Sequence, residues 1–203
     1  CLVEEIARIH GFDHLPITPM RRPHAVARPV LTATQERVRL VRRSLAEKGL
    51  MEAVTWSFVA RSHAAVFGGG DETLQLSNPI SSELDSMRPS LLPGLINAAG
   101  RNVDRGIADF SLYEVGPQYA GAEPGDQSTY ASGIRRGARD GAGSARHWAD
   151  NVPAADVFDA KSDALSVLAA CGISANKVQI ATEAPAWYHP GRSGTLRLGP
   201  NAF

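Results

Sequence analysis

Two carboxylates, Glu4 and Glu5, stand side by side in Cys1-Leu2-Val3-Glu4-Glu5-Ile6. Neighbouring helical residues point about 100° apart, so such a pair shares a hard cation only at a helix end or with outside ligands. A solvated helix face is the plain alternative. Glu114, in Asp109-Phe110-Ser111-Leu112-Tyr113-Glu114-Val115-Gly116, is a different case. If that run is a strand, Phe110, Leu112 and Glu114 share a face. An acid beside two large apolar groups demands a partner, because burying an unpaired charge is prohibitive. Arg88 and Lys161 are the candidates, and the sequence does not choose between them. His189-Pro190-Gly191-Arg192 reads as a rigid turn whose guanidinium can fork onto a carboxylate. His10 and His14 are four apart, but Gly11 and Pro16 argue against one continuous helix presenting them as a metal pair. No GxGxxG follows a strand, and no glycine cluster precedes Lys-Ser or Lys-Thr. The glycines at 68–70 and 137–143 therefore read as turns rather than phosphate cradles. No Ser/His/Asp order stands out.

These residues must be positioned by local elements that the pattern suggests. Leu2, Ile6 and Ile9 fall on one helical face, with Glu4, Glu5 and Arg8 off it. The stretch 19–29, PMRRPHAVARP, is proline-stiffened and basic and reads as an extended linker. Thr32 followed by Gln35 signals a helix start and Gly49 its stop, with Val38, Val41 and Leu45 as the inward stripe. MEAVTWSF (51–58) alternates and predicts a half-buried strand with Val54, Trp56 and Phe58 inward. RSHAAVFGGG reads as a short helix ending in a glycine turn, and TLQLSN (73–78) as another strand. Ser90 can cap a helix through LLPGLINAAGRNV, with Pro93 tolerated in its first turn. DFSLYEVG (109–116) and STYASGIRR (128–136) can pair as a hairpin, and GARDGAGSAR (137–146) reads as a loop. VFDAKSDALSVLAACG (157–172) ends as a helix with Leu165, Leu168 and Cys171 inward; VQIAT and GTLRLG are final strands. Helices and strands do not alternate strictly, which favours α+β with a mostly antiparallel sheet flanked by helices.

At 43% hydrophobic and 21% charged, 203 residues suffice for one large domain with a real core. Lys+Arg and Asp+Glu each number 21, so bulk charge alone does not hold this chain to nucleic acid or anionic lipid. The charge is uneven: residues 1–50 carry nine basic against five acidic side chains, the remainder twelve against sixteen. No apolar run approaches the roughly 20 residues of a membrane span. Cys1 and Cys171, with no CxxC pairing, suggest a reducing, cytoplasmic setting. The chain starts in helical rhythm without Met and ends on a turn, which suggests a piece of a longer polypeptide.

Several stretches together resemble the β subunit of bacterial phenylalanyl-tRNA synthetase. LVEEIARIHGFDHLP is similar to the end of the small domain before that subunit's core, and GLMEAVTWSF to the core's first strand. SNPISSELDSMRPSLLPGLI is the most specific match. LYEVG, RHW, VFDAKSD and WYHPGRSG follow in family-like order, so the resemblance covers residues 2–194. Cys1 stands where the family has Asp in an Asp-Leu-x-Glu-Glu pattern that contributes magnesium ligands, which makes Glu4 and Glu5 the candidate metal ligands. Ser162 replaces a commoner Gly, and Gly194 a common Ala.

The resemblance implies residues 1–30 as the remnant of the small domain with its linker, and 31–203 as a C-terminally truncated class II synthetase-like core. It implies no catalytic residue in this chain. The core does not activate phenylalanine itself; it assembles with the α subunit, two of each, to charge tRNA(Phe) using ATP and Mg²⁺. Neither ATP nor Mg²⁺ is expected to be bound tightly by the fragment. Amino-acid activation needs cations at the developing phosphate charge. LYEVGPQYAG offers Pro117, Gln118 and Ala120 where the family's active members place one. The resemblance makes Pro79 to Leu95 a loop and helix start near the α subunit, Glu114 and Lys161 an internal polar pair, and His189 with Arg192 a turn at a subunit boundary. Arg88 is a further structural or interface residue. Two rivals remain: a domain that activates an amino acid alone, and a non-enzymatic RNA-binding module built on Arg21, Arg22, Arg28 and Arg42.

Overall fold

A computed structural model describes residues 1–20, 28–139 and 153–203. These divide into two units, Cys1–Thr32 and Ala33–Phe203. Most of the basic linker and the segment containing RHW lie outside the described residues, as does most of the expected loop at 137–146.

The first unit is built on helix α1 (Leu2–His10), which buries none of its residues. Gly11 ends it with φ 101°, a left-handed conformation that glycine adopts without a Cβ penalty, and its N–H returns to the Ala7 carbonyl. A single tight turn, Phe12–His14, follows and breaks the helical register between the two histidines.

The second unit is organised around a long antiparallel hairpin, β4 (Phe110–Tyr119) and β5 (Gln127–Arg136), in register from Phe110 opposite Arg136 to Tyr119 opposite Gln127. Alternation along β4 puts Phe110 and Leu112 on one face and Tyr113 and Val115 on the other, and both faces are buried. Helix α4 (Leu92–Asp104) covers the first face with Leu95 and Ala98. Helices α2 (Ala33–Glu47) and α5 (Val157–Ala170) cover the second: Val41 and Leu45, with Leu50 just beyond α2, pack on Tyr113 and Val115, and Val167 and Ala170 lie beside them. Each fully buried Leu or Phe contributes about 1.5–3 kcal/mol. Helix α2 begins directly after Thr32, and the chain turns at Gly49 with φ 80°. Helix α4 carries Pro93 in its first turn, and its Leu92 N–H donates to Ser90 Oγ. A separate antiparallel sheet near the end comprises β6 (Gln179–Ala181), β7 (Thr195–Leu198) and β8 (Asn201–Ala202).

The α+β reading holds with one change. The hairpin is antiparallel, but β1 (Met51–Glu52) joins β4 in parallel, so the central sheet is mixed. The described strands also form three small sheets rather than one. The expected strand 51–58 breaks after Glu52. Ala53 still donates to the Tyr113 carbonyl (2.7 Å), but beyond it the Thr55 and Trp56 carbonyls accept from Arg88 Nη1 and the Ser57 carbonyl from the Arg88 backbone N–H. Pairing resumes only at β2 (Phe58–Val59), against β3 (Ser86–Met87). Of the side expected inward, Val54 and Trp56 are 86% and 69% exposed and only Phe58 is half-buried. The short helix α3 (Arg61–Val66) follows. The expected strand at 73–78 shrinks to one antiparallel bridge, Gln75 opposite Ser86, because its start is a tight turn at Glu72–Leu74 that the Asp71 carboxylate closes by accepting the Thr73 N–H (2.9 Å).

Candidate functional site

Glu114 lies mid-strand on β4 and is 3% exposed; Arg88, just past β3, is 2% exposed. Arg88 Nη1 donates to Glu114 Oε1 at 2.7 Å and to Thr55 Oγ1 at 3.0 Å. Thr55 in turn donates to Glu114 Oε2 at 2.7 Å. Arg88 Nε donates to the Pro117 carbonyl at 2.9 Å, and the Arg88 carbonyl accepts from the Tyr119 N–H. Both carboxylate oxygens are therefore satisfied, which burial of a charge requires. Two glycines leave the necessary room. A Cβ at Gly116 would lie 2.7 Å from Arg88 Nη2, and one at Gly94 would collide with Thr55 Oγ1. The partner of Glu114 is thus Arg88. The pairing with Lys161 is corrected: Lys161 is exposed on α5.

Chemically, this is a closed knot. Pro117 spends its carbonyl on Arg88, and Gln118, with its amide oriented to suit its neighbours, donates to the Pro89 carbonyl and accepts from the Leu91 N–H. Beside the knot, a hollow of about 690 Å³ is lined by Thr55, Trp56, His63, Glu83, Asn97 and Arg101 among others. Its Arg101 stands on α4, not on β4.

The remaining candidates are placed as follows. Glu4 and Glu5 are exposed on α1, and Glu5 accepts from Arg8 Nη2 at 2.7 Å. The His10 and His14 rings lie 4.7 Å apart. Among the described residues, no three His, Cys, Asp or Glu side chains are placed to hold a metal ion. His189 and Arg192 form a turn: Nδ1 of His189 accepts the Gly191 N–H (3.0 Å), and its carbonyl accepts from the Arg192 N–H and from Ser193 Oγ. Lys161 and Arg192 line the same hollow of about 330 Å³, with Tyr188 and Ile180.

A second polar knot was not legible in the sequence. Arg135 on β5 grips Asp163 on α5 with two hydrogen bonds, 2.6 and 3.0 Å, and reaches Ser111 Oγ and the Lys48 carbonyl. Asp163 holds the guanidinium above its ordinary pKa against the opposing pull of burial. Lys48 adds a bond to Ser162 and an ion pair to Asp163. Burial likewise pushes the Tyr113 phenol up, and its hydroxyl donates to the Arg42 carbonyl. Asp163 stands one turn before Val167 and two before Ala170, on the side of α5 that faces the core.

Comparison with known proteins covers nearly all of the chain. Residues 18–202 match the family described as phenylalanyl tRNA synthetase beta chain CLM domain. The chain is 57% identical, over 98% of its length, to the phenylalanine–tRNA ligase beta subunit of Paramagnetospirillum magneticum, and 52% identical over 98% to that of Bradyrhizobium diazoefficiens. It spans 24% and 25% of those relatives, about a quarter of their length. A pyrrolysyl tRNA synthetase from Desulfitobacterium hafniense shares the fold, with a TM-score of 0.56 and 19% identity over 84% of this chain and 54% of that one. Matched on sequence from the linker to its last strand, the chain belongs to the family of the phenylalanyl-tRNA synthetase β chain CLM domain.

Proposed function

We propose that this chain is the core region of the β subunit of a phenylalanine–tRNA ligase, and that it serves assembly rather than chemistry. The observation that carries this is the fate of Arg88. It is a cation buried against β4, and it is enclosed by Glu114, Thr55 and the Pro117 carbonyl. Enclosed in this way, Arg88 has no charge to offer a reacting phosphate, and stabilising that charge is the largest contribution a site of this kind supplies. Pro117, Gln118 and Ala120 add none. The assembled enzyme would take ATP, Mg²⁺, phenylalanine and tRNA(Phe), with the α subunit supplying the adenylating centre. In this reading residues 1–30 belong to the preceding small domain and 31–203 to the core. The exposed Ile80, Val54 and Trp56 support a partner surface along the strip that begins at Pro79.

The test is phenylalanine-dependent exchange of pyrophosphate into ATP by the full-length β subunit, alone and after addition of α. Exchange is expected only with both subunits present. Exchange by β alone, abolished by Arg101→Ala in the hollow beside Trp56, would overturn the reading in favour of an autonomous activating domain.

A further inference from the structure

Helix α5 carries apolar side chains on its outer side as well as its inner one, Leu165, expected inward, among them. Val167, Leu168 and Ala170 face inward, the first and last packing on the α2–β4 core. On the outer side Phe158, Lys161, Ser162, Leu165, Ser166 and Ala169 recur at helical spacing and line one shallow surface. Phe158 is 71% exposed there. Lys161 is the single charge on this stripe. The acids of the same segment are spent elsewhere: Asp156 caps the helix, Asp159 pairs with Arg139, and Asp163 pairs with Arg135.

Where this stripe meets the β6–β7 sheet, Lys161 lines the hollow that it shares with Arg192, Tyr188, Ile180 and Leu196. Among the described residues, neither Lys161 nor Arg192 has a partner for its charged group. The turn that presents Arg192 is held by the three hydrogen bonds to His189. Its backbone is therefore ordered before any contact is made, which lowers the entropy lost on binding. Free cations beside exposed Phe and Tyr on an apolar floor have the composition of a subunit interface, which is rich in aromatics and Arg, rather than of an interior waiting for cover.

We infer that the outer face of α5 and the Lys161–Arg192 hollow bind a segment of the partner subunit that bears an acidic side chain between apolar anchors. The inference rests on the subunit reading above. The carboxylate would sit between Lys161 and Arg192, and the apolar anchors on Phe158, Leu165 and Ile180.

The experiment uses full-length β with the α subunit and measures the dissociation constant by analytical ultracentrifugation. Lys161→Glu with Arg192→Glu, and separately Phe158→Asp, should each weaken assembly tenfold or more, while Lys161→Arg and the remote Arg43→Glu leave it unchanged. If wild-type β does not assemble with α, the subunit reading itself falls. If wild type assembles and the reversed variant assembles equally well, this face is not the interface and the subunit reading stands. A reversed variant that lowers the melting temperature of β alone at unchanged α affinity would show the face covered by the β chain's own remainder. A selective loss of tRNA affinity would make it an RNA contact. Either result overturns the inference.

Discussion

Glu114 shows how far a single residue can be argued and where the argument stops. Its position beside Phe110 and Leu112 on a strand face demanded a compensating cation. Both candidates lay far from it along the chain, and only the packing of β3 against the segment after β1 brings Arg88 to 2.7 Å. A buried pair of this kind is held together more by the cost of leaving one charge alone than by mutual attraction. Glu114→Gln in the β chain should therefore lower unfolding stability by about 3–5 kcal/mol, measured by urea denaturation, because it strands the Arg88 guanidinium. Replacing the trio together, as Thr55→Val, Arg88→Met and Glu114→Leu, should recover most of that loss. A triple variant no more stable than the single one would show that the knot does more than satisfy its own charges.

At the scale of elements, the helices were legible because their inward stripes and their ends are written locally. Helix α5 begins where Asp156 accepts the N–H groups of Phe158 and Asp159. Asp156→Ala should cost about 1 kcal/mol, checked by thermal melting. Asp159, next in that cap, has a depressed pKa. Burial pushes it up, but the Asp156 N–H and Arg139 outweigh that and leave it below the ordinary carboxylate range. Its contribution is then present above the unfolded pKa and lost as pH falls through the lower, folded one. Melting followed from pH 7 to pH 3 should show this acid loss, and Asp159→Asn should flatten it. The strands at 51–58 and 73–78 failed as expectations for one physical reason. Polar side chains, Arg88 and Asp71, took the backbone groups that a ladder would have used.

For the whole molecule, two of the three apolar side chains that the strand reading sent inward are left outside by the fold, while Phe58 is half-buried in β2. Val54 and Trp56 face solvent, while Thr55 turns in to serve Glu114. Trp56→Asp should change the stability of the β chain by less than about 0.5 kcal/mol, as for other surface positions. It should weaken assembly with the α subunit measurably by ultracentrifugation. An unchanged dissociation constant would remove the partner surface at this strip. The chain spans about a quarter of the length of the relatives it matches.

By itself the sequence determined the α+β class, the helices, the central hairpin, the face on which Glu114 lies and the family, because periodicity, caps and motif order are properties of neighbours along a chain. Only the tertiary structure decided that Arg88 rather than Lys161 answers Glu114, that β1 runs parallel to β4, and that Lys161 and Arg192 share a hollow. Those outcomes depend on which distant backbone and side-chain groups compete for the same hydrogen bonds, and that competition is settled only when the elements pack.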